Sequence, residues 1–165
     1  MPKTILHLGS NIGLRNQHLQ DARALLAQHL GRERKVSACY ETSAWGLENQ
    51  RDFLNQAVTF ETKRSPEEVL AIALEVENQL GRQRVQKWGE RIIDIDVIFY
   101  GKKIIDTENL IIPHPWMHER RFVLVPVAEI APKKKHPMLR KRVRDLLEDC
   151  TDQGWVRRVN GKFDQ

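Results

Sequence analysis

Apolar positions first gather in Thr4-Ile5-Leu6-His7-Leu8, and Gly9-Ser10-Asn11 ends the run. This pattern predicts a strand followed by a turn. The period then lengthens. Leu19, Ala22, Leu25, Leu26 and Leu30 fall on one stripe of a helix over about 15–30, with Gly31 as its stop. Val36 to Tyr40 reads as a second strand. The stretch 41–52 (ETSAWGLENQRD) is polar and aperiodic and reads as a loop. Phe53 to Phe60 is a third strand. Ser65, Pro66 and Glu68 spell a capping box with proline at the first helical position. Val69, Leu70, Ala73, Val76 and Leu80 form the apolar stripe of that helix, which Gly81 ends. A loop from Arg82 to Glu90 leads into a fourth strand, Ile92 to Tyr100.

The order β-α-β-β-α-β predicts an α+β fold of the ferredoxin-like kind. Its antiparallel sheet carries two helices on one face. Beyond Tyr100 the pattern is less regular. Pro113-His114-Pro115 is a turn or extended piece. Phe122 to Val127 is apolar, and Glu129-Ile130-Ala131-Pro132 ends something helical. Lys133 to Lys135 is a charged turn, and Arg142 to Asp149 is a short helix. With no internal repeat and no long linker, residues 1–165 read as a single domain.

The fourth strand carries the strongest chemical signal. Alternation sends Ile93, Ile95, Val97 and Phe99 into the core under the helices and leaves Asp94 and Asp96 together on the other face. Two carboxylates ~7 Å apart on one strand face repel each other, and a cation relieves that cost. Their hard oxygens suit Mg²⁺. The alternative is a surface cluster paired with water or arginines. Arg82, Arg84, Lys87 and Arg91 enter this strand, against a single Glu90. Carboxylates with metal beside guanidinium groups are equipment for phosphoryl transfer. Gly81 and Gly89 flank the loop and suit a moving lid; an idle, solvated basic turn is the other reading. Neither a P-loop nor a dinucleotide glycine motif is present, so side chains and metal must hold any nucleotide.

On the third strand, Phe53 and Asn55 share a face. Phe53 offers a stacking plate and Asn55 a donor and an acceptor, which suits a flat heterocycle with an amide-like edge. An ordinary half-exposed strand face is the plainer reading. His114 and His118 have the spacing of zinc ligands, but Pro115 argues against a helical pair. A phosphate hydrogen bond from His114, with Arg120 close by, fits better.

Composition agrees with a folded, enzyme-sized domain. The 165 residues are 41% hydrophobic and 30% charged, outside the disordered class. No apolar run approaches ~18 residues, so no membrane span is expected. The start of the chain lacks a signal-peptide pattern. Cys39 and Cys150 are isolated and read as free thiols, which points to the cytoplasm. The net charge is +5, and the excess lies in residues 117–165, with 12 basic and 7 acidic side chains. Such an excess is either a solvated surface or a contact for nucleic acid or acidic ligands.

The run Lys87-Trp88-Gly89-Glu90-Arg91-Ile92-Ile93-Asp94-Ile95-Asp96-Val97-Ile98 resembles the signature of the 6-hydroxymethyl-7,8-dihydropterin pyrophosphokinases of folate biosynthesis. Gly9-Ser10-Asn11, Asp52-Phe53-Leu54-Asn55 and Pro113-His114-Pro115, with Arg120, Phe122 and Val123 beyond, match in the same order. The resemblance covers a core of about 4–132 and leaves a basic C-terminal extension, 133–165. It implies transfer of pyrophosphate from ATP to the pterin hydroxymethyl group, with release of AMP. It implies two Mg²⁺ ions at Asp94 and Asp96, and Arg82 and Arg91 as the catalytic arginines. ATP contacts would come from Glu77 near the ribose, and from Arg84, Trp88, Ile98, His114 and Arg120. The pterin would lie between Phe53 and Phe122, read by Asn55, Thr42, Ser43 and Trp45. Phe53 stands where some members have Tyr.

Two other functions bear on the same residues. A ferredoxin-like nucleic-acid-binding module needs exposed aromatics on its central strands, and only Phe53 is in place. A metal-dependent nuclease needs further acidic ligands. The kinase reading expects small-molecule substrates, no membrane, no nucleic acid, and a monomer.

Overall fold

A computed structural model describes residues 1–43, 51–81 and 92–160. Trp45, Arg82, Arg84, Trp88 and Arg91 lie outside the described residues.

The strands are β1 (Lys3–Ser10), β2 (Gly31–Val36), β3 (Cys39–Thr42), β4 (Phe53–Thr62), β5 (Asp94–Tyr100), β6 (Ile105–Asp106), β7 (Ile111–Ile112) and β8 (Val156–Val159). The helices are α1 (Arg15–Leu30), α2 (Pro66–Leu80), α3 (Arg121–Ile130) and α4 (Val143–Asp149). The main sheet runs β5-β1-β4-β3-β8, with β2 beside the other half of β4, and every pairing is antiparallel. β6 and β7 form a separate ribbon. This is the expected βαββαβ core with strands added at its end.

Both long helices start and stop where the sequence places them. Ser65 accepts the Glu68 N–H, and the Glu68 carboxylate accepts the Ser65 N–H, closing the capping box at α2. Gly31 does more than end α1. It begins β2 at φ 141°, and a Cβ there would lie 2.3 Å from the Glu61 carbonyl oxygen. The helix passes into the strand without a loop because that residue has no side chain.

The expected second strand, Val36 to Tyr40, is two strands. β2 ends at Val36 and β3 begins at Cys39. Ser37 interrupts them. Its N–H donates to the Ala57 carbonyl and its hydroxyl accepts the Ala57 N–H, each at 2.9 Å. One residue thus occupies both ladder bonds of Ala57, and the chain shifts laterally before pairing resumes. Glu41 and Thr42, read as loop, belong to β3.

Leu6, Leu8, Leu54, Val58, Phe60, Ile95 and Val97 form one buried layer with α1 and α2. Ile5, Ala57, Ile98 and Phe99 face the other way and pack on Val123, Leu124 and Val127 of α3 and on Val143 and Leu146 of α4. Phe99 was expected with the first layer and lies in the second. Ile5 pairs with Phe99 but Leu6 pairs with Val97, so Ile98 is an extra residue, a bulge. Beyond it the inward and outward faces exchange. α3 is tied down at Glu129, whose carboxylate accepts from the Ala38 N–H at 3.0 Å and from the Tyr40 hydroxyl.

α3 and α4 therefore cover much of the face that a ferredoxin-like RNA-binding module leaves open. The nucleic-acid reading loses its surface. Lys133 and Lys134 join Lys3, Arg34, Lys35 and Lys102 around a cleft of ≈790 Å³ at the end of the sheet remote from Asp94. No helix among the described residues is long and apolar enough to cross a membrane.

Candidate active site

Strand register assembles the site. Gly9 pairs with Asp94 on one side and Asn55 on the other, and Asn55 pairs with Tyr40. One step along, His7 lies between Asp96 and Ala57. At the other end, Thr42 pairs with Phe53 and Val156. Paired residues share a face, so both carboxylates, Asn55 and Phe53 stand on the face that α3 covers. Gly9 adds no side chain between Asp94 and Asn55, and the floor stays open.

A cleft of ≈470 Å³ opens over this floor. Asp94, Asp96, Phe53, Asn55, Thr42 and Ser43 line it from the sheet, and Arg120 and Phe122 from the start of α3. Eight of the expected site residues are thus brought together.

Asn55 is held more tightly than a free reader of a ligand edge. Its Nδ2 donates to the Tyr40 carbonyl at 3.2 Å and to the Thr42 hydroxyl at 2.9 Å. Both N–H bonds are used internally, and Oδ1 remains. The expected donor-and-acceptor pair is an acceptor alone.

Asp96 is mostly buried, and burial raises its pKa, while the Arg120 guanidinium acts in the other direction. His114 is pushed down to about 4 by burial and then by Arg120, so its imidazole is neutral. Its Nδ1 accepts the Trp116 N–H at 3.2 Å. That bond places the ring proton on Nε2, which becomes a donor. The His114 N–H donates to the Ile98 carbonyl at 3.0 Å. Ile98 is itself fully buried and lines no part of the cleft. Glu77 does not line it either. Its Oε2 accepts the Ile95 N–H at 2.7 Å, gripping edge strand β5 between the two aspartates.

Four lining residues were not expected from sequence: His7, Trp116, Glu119 and Asp152. His7 had a signal, as the one ionisable residue inside the apolar run of the first strand. It lies edge-on to Phe122, ring centroids 5.8 Å apart, and burial holds its pKa down to about 4. Asp152 had no local signal at all.

Among the described residues, no three His, Cys, Asp or Glu side chains come together as a metal cage. Mg²⁺ is held by one or two carboxylates and completes its shell with water and substrate phosphate, and Asp94 and Asp96 offer such a pair. A pair of carboxylates on one strand face, one of them mostly buried with its pKa raised by desolvation, fits a cation. It does not fit zinc, and His118 lies instead 3.6 Å from Glu119.

The family model for 7,8-dihydro-6-hydroxymethylpterin-pyrophosphokinase matches residues 5–132. Among curated proteins, the chain is 49% identical over 124 residues to the 2-amino-4-hydroxy-6-hydroxymethyldihydropteridine pyrophosphokinase of Bacillus subtilis, covering 74% of each chain. It is 39% identical over 151 residues to that of Aquifex aeolicus, covering 92% of this chain and 94% of the other. Among solved structures, it superposes on an HPPK-DHPS in complex with substrates with a TM-score of 0.73 at 15% identity. Wild-type Plasmodium falciparum HPPK-DHPS with SDX-DHP gives 0.71 at 15%. Each match covers 90% of this chain and 44% of the longer one, and at that identity the likeness is one of fold. With two relatives of such identity and a family match that takes in most of β1, both core helices and all of α3, this chain belongs to the 7,8-dihydro-6-hydroxymethylpterin-pyrophosphokinase family.

Proposed function

We propose that the cleft beneath α3 is where the chain moves the β,γ-pyrophosphoryl group of ATP to 6-hydroxymethyl-7,8-dihydropterin, as expected of its family in folate biosynthesis. The hydroxymethyl oxygen bonds to the β-phosphorus and its proton passes to solvent water. The bond from that phosphorus to the α-bridging oxygen breaks, and AMP leaves. The observation that carries the reading is the shared floor: Asp94 and Asp96 on one strand, Phe53 and Asn55 two strands away, and Arg120 and Phe122 above them.

Each residue has a role. Asp94 and Asp96 would hold the two Mg²⁺ ions. When bound, the metal neutralises phosphate charge and aligns the transferring group. His114 donates from Nε2 to a phosphate oxygen, and Arg120 adds a cation beside it. Arg82 and Arg91 stabilise charge on the moving group, with Arg84 and Trp88 closing over it. Glu77 and Ile98 serve ATP through β5, one by gripping Ile95 and the other by anchoring His114. The pterin stacks between Phe53 and Phe122. Asn55 Oδ1 accepts from an N–H of its edge, and Thr42, Ser43 and Trp45 shape the wall. Two aromatic plates hold a rigid acceptor in line with the phosphorus, which is most of what phosphoryl transfer asks of a protein. The enzyme works as a cytoplasmic monomer; neither Cys39 nor Cys150 is in a disulfide, which suits a reducing compartment.

AMP release from ATP and Mg²⁺, with and without 6-hydroxymethyl-7,8-dihydropterin, tests the reading. Pterin-dependent AMP is expected. Asp96→Ala should abolish Mg²⁺-dependent ATP binding and cut turnover by at least ~100-fold. ADP as product, or no AMP from folded protein, would sink it.

A further inference from the structure

We propose that Asp152, in the C-terminal extension, is a positioning residue for the aromatic acceptor: it caps α3 from outside the helix and so fixes Phe122 over the cleft. The proposal rests on the reading of this cleft as the pterin site.

The need for such a cap is written into α3. A helix start leaves backbone N–H groups without partners, and Ser, Thr, Asp or Asn at the N-cap ordinarily takes one. In α3 the N-cap is Arg120, which makes no side-chain cap bond, and the first turn holds no acidic residue. An arginine has no acceptor to offer. Its guanidinium is committed instead to the cleft, which it lines.

Asp152 supplies what Arg120 cannot. Its Oδ2 accepts the Arg121 N–H at 2.9 Å, from 31 residues further along the chain. Its Oδ1 accepts the Gly154 N–H at 2.9 Å, which fixes the carboxylate in a tight turn. Negative charge at a helix start also meets the positive end of the helix dipole. Phe122 is the next residue after Arg121, so the bond acts within one residue of the upper aromatic plate. Asp152 lines the same cleft.

The extension is anchored at the opposite wall as well. β8 pairs with β3, Val156 opposite Thr42. Arg157 donates to Glu41 Oε1 at 2.6 Å, while Arg15 donates to Glu41 Oε2 at 3.0 Å and to the Asp52 carbonyl at 2.9 Å. Asp52 precedes Phe53, the lower plate. One segment, 152–157, is therefore bonded beside both plates, to Arg121 next to Phe122 and to Thr42 and Glu41 on the strand that pairs with Phe53, and so braces one wall against the other. Asp152 is the end of that brace that touches α3.

The test compares Asp152→Ala and Asp152→Asn with the wild type and with Phe122→Ala. In Asp152→Ala the KM for 6-hydroxymethyl-7,8-dihydropterin should rise about tenfold, as for a lost cap that frees one plate. The kcat should move less than about threefold, and affinity for a non-hydrolysable ATP analogue in the absence of pterin should hold. Asp152→Asn keeps one acceptor for the Arg121 N–H and should recover most of the loss. Amide exchange at Arg121 should quicken in the alanine variant and not in the asparagine variant, a readout independent of activity. An unchanged KM in Asp152→Ala would overturn the proposal. So would Asp152→Asn as impaired as Asp152→Ala, because the carboxylate would then be reading substrate or metal directly. Equal losses in kcat and in ATP affinity would reduce Asp152 to a structural residue. If wild-type protein releases no pterin-dependent AMP, or Phe122→Ala is normal, the pterin reading itself fails. Exchange at Arg121 then still decides whether Asp152 caps α3.

Discussion

At the scale of single residues, the site places charge where the fold least favours it. Asp96 is mostly buried and its carboxyl is shifted toward the neutral form, chiefly by desolvation. At neutral pH its ionised form therefore costs stability unless a cation is near. Asp96→Asn keeps the shape and removes the charge. In metal-free buffer that variant should melt at a higher temperature than the wild type, while its turnover falls at least ~100-fold. A lower melting temperature would mean that Asp96 is held by favourable contacts rather than tolerated for function. Asn55 poses a different case, since both its N–H bonds serve β3. Only Oδ1 is left for a ligand. Asn55→Ala should raise the pterin KM about tenfold, roughly one hydrogen bond to a partly buried partner, with ATP-analogue affinity unmoved. Titration of pterin binding by its fluorescence measures this directly; equal weakening of both ligands would show collapse of the floor.

At the scale of elements, what was legible depended on whether the cause was local. The α2 start is set by Ser65, Pro66 and Glu68 within four residues, and the structure has it there. Ser65→Ala should remove about 1 kcal/mol and lower the melting temperature by ~2–4 °C, with kinetics unchanged. A larger thermal loss would mean that α2 carries more of the cooperative core than its cap accounts for. The β2–β3 break was illegible because its cause is Ala57 on another strand, whose ladder bonds Ser37 takes over. The bulge at Ile98 was hidden for the same reason. Alternation placed Asp94 and Asp96 correctly on one face but misplaced Phe99, which lies beyond the extra residue. The cleft was half legible. Phe53, Asn55 and the aspartates follow from strand period alone. His7 was visible only as a polar residue among leucines. Asp152 is recruited by a 31-residue return of the chain, which no local pattern records.

At the scale of the molecule, the sheet separates two tasks. One face, under α1 and α2, is an apolar layer broken only locally, by buried polar residues such as Gln56 and Thr4. The other is apolar near Phe99 and polar toward Asp94, and α3 spans the change. Closing that face buries histidines without charging them. His7 and His114 are each lowered from 6.5 to about 4, first by desolvation, with Arg120 adding to the effect at both, and His136 is lowered by burial and by His118. The sign follows from proton counts. Between pH 6.5 and about 4 the unfolded chain has protonated the rings of His7 and His114 and the folded chain has not, so acid draws the equilibrium toward unfolding. Their stabilising contribution is complete above 6.5 and is lost as the pH falls toward 4. For His7, which is 4% exposed, the full span is on the order of 3 kcal/mol. Asp96 titrates with the opposite slope, since a raised carboxyl pKa withdraws stability as pH rises through it. A single melting curve would mix the two. The difference between the wild type and His7→Ala does not, because Asp96 is common to both. In metal-free buffer the wild type should lose melting temperature between pH 7 and pH 5, and His7→Ala should lose less over the same interval. Parallel curves would show that the His7 ring takes up its proton without unfolding, and that the α3 face admits water at its deepest strand.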